Sequence, residues 1–329
     1  MTTPRGVRLA LTVGDPAGIG PEIVIAALRQ LPAGVEHVRV YGDAAALERC
    51  ATRPADLRGN ALEIIDTATA KVAPGEPDPA AAHGVVHAVR GAALACLDGT
   101  VDALVTGPLS KEMLGLAGYT IPGHTELLEE VAGTGRAVML LAGGRLRVVP
   151  ATIHCALREV SDRLSVSGLS ELIAIVGAEL RSRFGLAEPR IAVCGLNPHA
   201  SDGGRFGDEE ARIIRPAIEA ACSRGFDARG PLAADSLFSR AVAGEFDVVI
   251  GMYHDQVLGP LKLHAFGQAV NVTLGLPLIR TSVDHGTAFD IAGSGSADPG
   301  SMHAAVRLAV ELAAHELRAG VGAEGGTEA

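Results

Sequence analysis

The chain contains no tryptophan, and aromatic residues make up only 3% of it. Single-stranded nucleic acid is bound on aromatic stacking platforms, so this shortage argues against that class. It also means that the core must be built from Ala, Val, Leu and Ile, a composition that suits parallel α/β layers. Basic residues are in deficit too, with 28 Lys and Arg against 38 Asp and Glu, a formal charge of −10. A phosphate backbone asks for a net basic face, which excludes nucleic acid as a partner and leaves room for a local basic patch on a small phosphorylated ligand. Cysteines number five (Cys50, Cys96, Cys155, Cys194 and Cys222) and form no C-x-x-C pair. That usage reads as a reducing compartment with neither a disulfide framework nor a zinc finger. Cys194 sits in an apolar run and reads as a small buried side chain, and Cys155 as packing more than as a reactive thiol. No run approaches about 18 consecutive apolar residues, so no membrane span is expected. The only apolar stretch near the start, LALTV, is too short for a secretory core, and cytoplasm is the expected location.

What the chain does have is length and apolar content. Its 329 residues, 48% apolar and 20% charged, describe a folded protein large enough for two domains. Buried runs at Arg8–Val13, His37–Asp43, Val101–Val105, Leu146–Ile153, Arg190–Leu196 and Phe246–Ile250 read as strands. Helical spacing follows most of them, over about 85–97, 167–183, 208–223 and 302–318. Strands alternating with helices in this way indicate a mostly parallel, doubly wound sheet. The Pro-, Ala- and Gly-rich residues 67–84 read as an irregular connection, and the GVGAEGGTEA tail as disordered.

Between the first strand and its helix lies GDPAGIGPE, Gly14 to Glu22. It is either a tight structural turn or a seat for an anion at a helix N-terminus. It carries neither a G-x-G-x-x-G fingerprint nor a G-K-[ST] loop.

The densest polar stretch runs from Asp247 to Asp290. It holds Tyr253-His254-Asp255-Gln256, then Lys262, Asn271 and Arg280, then Asp284-His285-Gly286-Thr287. Polar groups gathered this way between glycines and prolines mark a site that uses them. His154, His199 and His254 each stand just past the end of an expected strand, where open α/β sheets line their ligand crevices. Three imidazoles there read either as hydrogen-bonded structure or as ligands of a divalent metal with a position left open for substrate. Lys262 and Arg280, with His124 and Thr125, read either as solvated surface groups or as a seat for phosphate or carboxylate. Asp235 is either a helix N-cap or a carboxylate near that metal.

Eight motifs in order resemble the 4-hydroxythreonine-4-phosphate dehydrogenase family of vitamin B6 biosynthesis. They are GDPAGIGPE (14–22), VTGPLSK (105–111), GHTE (123–126), ATIH (151–154), GLNPHASDGG (195–204), GPLAADSLF (230–238), MYHDQ (252–256) and NVTLGLPLIRTSVDHGTAFDIAG (271–293). The resemblance implies a two-domain isopropylmalate-dehydrogenase-like α/β fold, mostly parallel with helices on both faces, and an active site in the interdomain cleft. Residues 1–125 with 266–329 would form one discontinuous domain. Residues 126–265 would form a central one supplying the metal ligands and a dimer interface. Carried over by position, His154, His199 and His254 would bind one divalent metal (Zn, Mg or Co), shared between the chains of a homodimer. His124, Thr125, Lys262, Asn271 and Arg280 would bind substrate, with Asp235 and Lys262 as catalytic candidates. Gly275, Asp284, His285, Gly286, Thr287 and Asp290 would contact NAD or NADP. The implied reaction is oxidation of 4-phosphohydroxy-L-threonine followed by decarboxylation. Ser294 stands where relatives commonly carry a lysine or arginine, and Val257 where they carry a glycine. A dehydrogenase of 4-phosphoerythronate or 4-phosphothreonate, and a non-catalytic small-molecule binding protein, are the competing readings.

Overall fold

The structure, a computed structural model, describes residues 5–51, 61–121, 123–133 and 136–324. It divides into two compact units, Met1–Ala137 with Leu276–Ala329, and Val138–Gly275.

The first unit opens with β1 (Val7–Thr12), α1 (Gly20–Arg29), β2 (Val35–Gly42), α2 (Ala44–Cys50) and β3 (Leu62–Asp66). It continues through α3 (Ala82–Leu97), β4 (Ala103–Thr106), α4 (Lys111–Leu116) and α5 (His124–Ala132). The second unit contains β5 (Val138–Gly143), β6 (Leu146–Thr152), α6 (Val160–Arg163), α7 (Val166–Ser182), β7 (Arg190–Cys194) and α8 (Arg215–Ser223). It ends with β8 (Asp227–Leu232), α9 (Ala234–Val242), β9 (Val248–Tyr253), α10 (His254–Ala265) and β10 (Val270–Leu274). The chain then returns to the first unit as β11 (Arg280–Val283) and α11 (Gly300–Glu324).

In the first unit the strands run β3-β2-β1-β4-β11, all parallel. Leu9, Ala10, Leu11, Leu104 and Val105 are fully buried, as strands covered on both faces must be. The stretch Pro79–Leu97 is long and apolar enough to cross a membrane. Its Val86, Val89, Ala92 and Ala93 instead pack with Tyr41, Leu104, Leu127 and Leu128 in the core. In the second unit the order is β10-β5-β6-β9-β7-β8. There β6, β9, β7 and β8 are parallel, and β5 runs antiparallel to both β10 and β6.

The boundaries lie further along the chain than 125 and 265. Leu127 and Leu128 of α5 belong to the α3 core cluster, which keeps the segment up to Ala137 in the first unit. Pairing of β10 with β5 keeps residues up to Gly275 in the second. Sequence periodicity misses β3, β5, β8, β10 and β11. It also joins into one helix what is a π-helical turn at Glu210–Ile214 followed by α8. Pro216 has no N–H to give, and Arg215 donates five residues back to Glu210. At the far end α11 runs on to Glu324, past the expected stop at 318 and into the tail expected to be disordered. The rest of that tail lies outside the described residues.

Candidate active site

In the first unit GDPAGIGPE is a clamp. Its N–H groups are taken up by protein acceptors: Ala17 N–H donates to Asp15 Oδ1, Gly18 N–H to Asp15 O, and Ile19 N–H to Thr287 O at 2.9 Å. Gly75 N–H donates to Ala17 O, and Gly293 N–H to Glu22 Oε1 at 2.7 Å. A Cβ on Gly18 would lie 2.6 Å from Thr287 O, so only glycine allows this approach. These bonds support a structural part for the turn, fixing the backbone of the loop Asp284–Gly293. Along that loop Asp284 N–H receives support from Ser301 Oγ at 3.1 Å, and Ala288 adopts a positive φ of 45°. His285, Gly286 and Asp290 are exposed, with His285 Nδ1 against Gly286 O, so the loop presents polar groups at the surface. Ser294 closes the loop internally through Ile291 O and Ser296 Oγ. Gly275, grouped with this loop by resemblance, is instead the last residue of the second unit.

The same unit holds a seat for an anion. Arg280 opens β11 and is only 2% exposed; its Nε and Nη2 donate to Thr106 Oγ1 at 3.1 and 2.7 Å. Burial lowers its pKa to about 10, so it keeps its charge at neutral pH. His124 and Thr125 occupy the first turn of α5, whose N-cap, Gly123, has no side chain to satisfy the free N–H groups. His124 Nε2 is buried and has no hydrogen-bond partner among the described residues. Burial holds the His124 imidazole well below its ordinary range, helped by the charges of Arg280 and Lys111. Lys111 arches over Gly123, with Nζ 3.9 Å from where a Cβ would sit and Glu126 Oε2 at 3.5 Å from the same point. An orphaned ring nitrogen, a buried guanidinium, an ammonium and a helix N-terminus fit a phosphate or carboxylate.

In the second unit β6, β9 and β7 are parallel neighbours, so the residues after them share one edge. The pairing of Thr152 with Tyr253 brings His154 and His254 side by side, with ring centroids 6.0 Å apart. His254 is the first residue of α10, and its Nδ1 lies 2.7 Å from Asp255 Oδ1, so Nε2 is the ring atom that a ligand would meet. A pocket of about 340 Å³ opens between them, lined also by Ile153, Cys155, Tyr253 and Asp255. His199 follows β7 but stands apart, with Nδ1 3.8 Å from Asp235 Oδ2. Asp235 is not the N-cap of α9, because the helix starts one residue earlier with Ala233 in that place. No group of three or more His, Cys, Asp or Glu among the described residues is placed to hold a metal ion. The imidazole chemistry nonetheless fits Zn or Co.

His199 rides on an unusual backbone. His199, Ala200, Ser201 and Asp202 have φ of 53°, 52°, 67° and 45°, a left-handed turn made of non-glycine residues. Such residues cost about 1–2 kcal/mol each, so roughly 4–8 kcal/mol must be offset by surrounding contacts. Gln256 supplies one tether: its Oε1 accepts from Met252 N–H at 2.7 Å and its Nε2 donates to Gly195 O at 2.8 Å, joining the ends of β9 and β7. Lys262 lies exposed on α10, and Asn271 is half-buried on β10 opposite Leu141. Sequence reasoning gave no site role to Lys111, Thr106 or Gln256. All three lie inside quoted motifs, which was the available signal.

Residues 20–309 match the family model described as pyridoxal phosphate biosynthetic protein PdxA. The chain belongs to this family. Among its relatives, a 4-hydroxythreonine-4-phosphate dehydrogenase of Geobacter metallireducens is 48% identical, covering 93% of this chain and 95% of that protein. The crystal structure of the Klebsiella pneumoniae 4-hydroxythreonine-4-phosphate dehydrogenase superposes with a TM-score of 0.84 at 40% identity, covering 95% of this chain and 99% of that one. A terephthalate 1,2-cis-dihydrodiol dehydrogenase from Burkholderia xenovorans is more distant, with a TM-score of 0.67 at 32% identity, covering 93% and 98%. The family match takes in both the anion seat and all three histidines.

Proposed function

We propose that the chain is an NAD- or NADP-dependent 4-hydroxythreonine-4-phosphate dehydrogenase. It oxidises the secondary alcohol of 4-phosphohydroxy-L-threonine, and the oxidised acid then loses carbon dioxide to give 3-amino-2-oxopropyl phosphate for pyridoxal 5'-phosphate synthesis. The observation that carries this reading is the buried guanidinium of Arg280, held by Thr106, whose charge acts on the buried His124, a ring whose Nε2 has no partner among the described residues. A ring nitrogen buried without a partner among the described residues is costly until a ligand meets it, and the positive charge of Arg280 acting on it favours an anionic one. Retention of His124, Thr125, Lys262 and Arg280 supports a phosphorylated substrate over an unphosphorylated dihydrodiol.

Arg280 binds the phosphate through its guanidinium, His124 and Thr125 add ring and helix-terminal donors, and Lys262 and Asn271 complete substrate binding. His154, His199 and His254 would hold one divalent cation, which would supply Lewis-acid polarisation of the substrate hydroxyl, and a bound nicotinamide would supply the hydride acceptor. Asp255 fixes the ring of His254 through Nδ1. Asp235, exposed beside His199, is the candidate for carrying the proton. The loop Asp284–Asp290, pinned by Ile19 and Glu22, holds the adenosine side of the dinucleotide. The working unit is a homodimer whose chains pool their histidines. The pairing of His154 with His254, the separation of His199, and the exposed Ile153 and Leu157 beside the pocket support this. All five thiols are free, in keeping with a cytoplasmic enzyme.

The test is a substrate panel followed at the reduced-nicotinamide absorbance, with the product identified. Phosphohydroxythreonine is expected to turn over best. Faster turnover of 4-phosphoerythronate or 4-phosphothreonate would reassign the substrate, and no turnover with any of them would leave a binding protein.

A further inference from the structure

The left-handed turn of His199 is held at its foot by an amide clamped between two acids. Asn197 N–H donates to Glu210 Oε1 at 2.8 Å. Its Nδ2 donates to Glu209 Oε2 at 2.7 Å and to Glu210 Oε2 at 2.9 Å. Glu210 is 2% exposed, and Glu209 is braced by Ser161 Oγ at 2.8 Å. Two glycines make room for the arrangement. A Cβ on Gly195 would lie 2.8 Å from Ala200 Cα, and one on Gly207 would lie 2.5 Å from Asn197 Nδ2. None of these groups has a part in the oxidation itself.

We propose that Asn197, braced by Glu209 and Glu210, is a positioning residue that holds His199 in place for a divalent cation. This rests on the reading of His154, His199 and His254 as cation ligands. Without the amide donors two carboxylates face each other, one of them buried, and both repulsion and desolvation drive them apart. A turn made of four left-handed non-glycine residues then has a lower-energy backbone to relax into, and it carries His199 with it. Metal sites tolerate displacements of only about 0.2 Å, and loss of a supporting partner weakens binding by about 10- to 100-fold.

The experiment uses the full-length dimeric protein and its Asn197→Leu variant, at a temperature where circular dichroism shows both folded. Zn²⁺ affinity is measured by competition with a chromophoric chelator, and Co²⁺ binding by its visible absorption. The expected result is Zn²⁺ affinity about 10- to 100-fold weaker in the variant, with an altered Co²⁺ spectrum. Equal affinity and an unchanged spectrum would overturn the proposal, whatever happens to the melting temperature. If Asn197→Leu fails to fold, Glu209→Ala removes a single brace, and a loss toward the lower end of that range is expected; unchanged affinity again overturns the proposal. A wild-type protein that binds neither metal overturns the histidine reading itself, a result distinct from equal binding by both proteins.

Discussion

Arg280 is 2% exposed and held by two bonds to one threonine hydroxyl, whereas the side chain of His199 is 68% exposed on a strained turn. The anion seat is thus built before its ligand arrives. Its guanidinium is already desolvated, its neighbouring imidazole is already neutral, and the free N–H groups of a helix already face outward. The histidine edge is the reverse. Its rings are available and only partly assembled, with His154 and His254 paired and His199 beside Asp235. A seat for a small anionic ligand gains from preorganisation. A metal site can instead be completed by the tightly bound ion and a second chain.

The largest effect that sharpens this contrast is expected at His254. His254→Ala should lower kcat/KM by at least about 1,000-fold, because the group that activates the alcohol loses a ligand. Unfolding should stay cooperative with its midpoint moved by only a few degrees, since the ring serves chemistry more than packing. A large fall in melting temperature without metal would place His254 in the core instead. Next comes Arg280→Met, which keeps volume and removes the fork. It should raise the KM for phosphorylated substrate roughly 10- to 100-fold, from about 1.5–3 kcal/mol for a charged hydrogen bond. An unchanged KM would mean that the phosphate lies elsewhere. The smallest effect is expected from His124. Burial, Arg280 and Lys111 hold its imidazole well below 6.5, so as pH falls through 6.5 the unfolded chain takes up a proton that the folded chain refuses. Stability therefore falls with pH below that point and is insensitive to this group above it. His124→Gln should flatten that slope in urea titrations between pH 5 and 8. Inorganic phosphate should flatten it in the wild type by favouring the protonated ring. An identical slope in wild type and variant would show that the ring is not desolvated.

Much of this site could be read from the chain because its residues stand where buried apolar runs stop. Val248-Val249-Ile250 ahead of His254, and the run ahead of His154, marked two strand ends, and the sheet made those strands neighbours. Lys111, by contrast, reaches the seat by arching over Gly123, and Thr106 reaches Arg280 across 174 residues of sequence. Neither contact leaves a periodic signal. Hydrophobic alternation carries no sign of φ, so the left-handed turn at His199 was hinted at only by Gly203 and Gly204. Among the strands that went unread, β5 ends at Gly143 beside a second glycine, and β8 carries a Gly-Pro step that reads as loop. The same limit hid the domain boundaries, which are set by the side chains that α5 and β10 pack against.

The most direct measurement of the central claim, that pooled histidines hold a cation needed to oxidise a phosphorylated alcohol, is turnover before and after exhaustive chelation. Activity with 4-phosphohydroxy-L-threonine should fall to background on chelation and return on adding back Zn²⁺ or Co²⁺. Turnover at the original rate in the chelated, metal-free protein would contradict it.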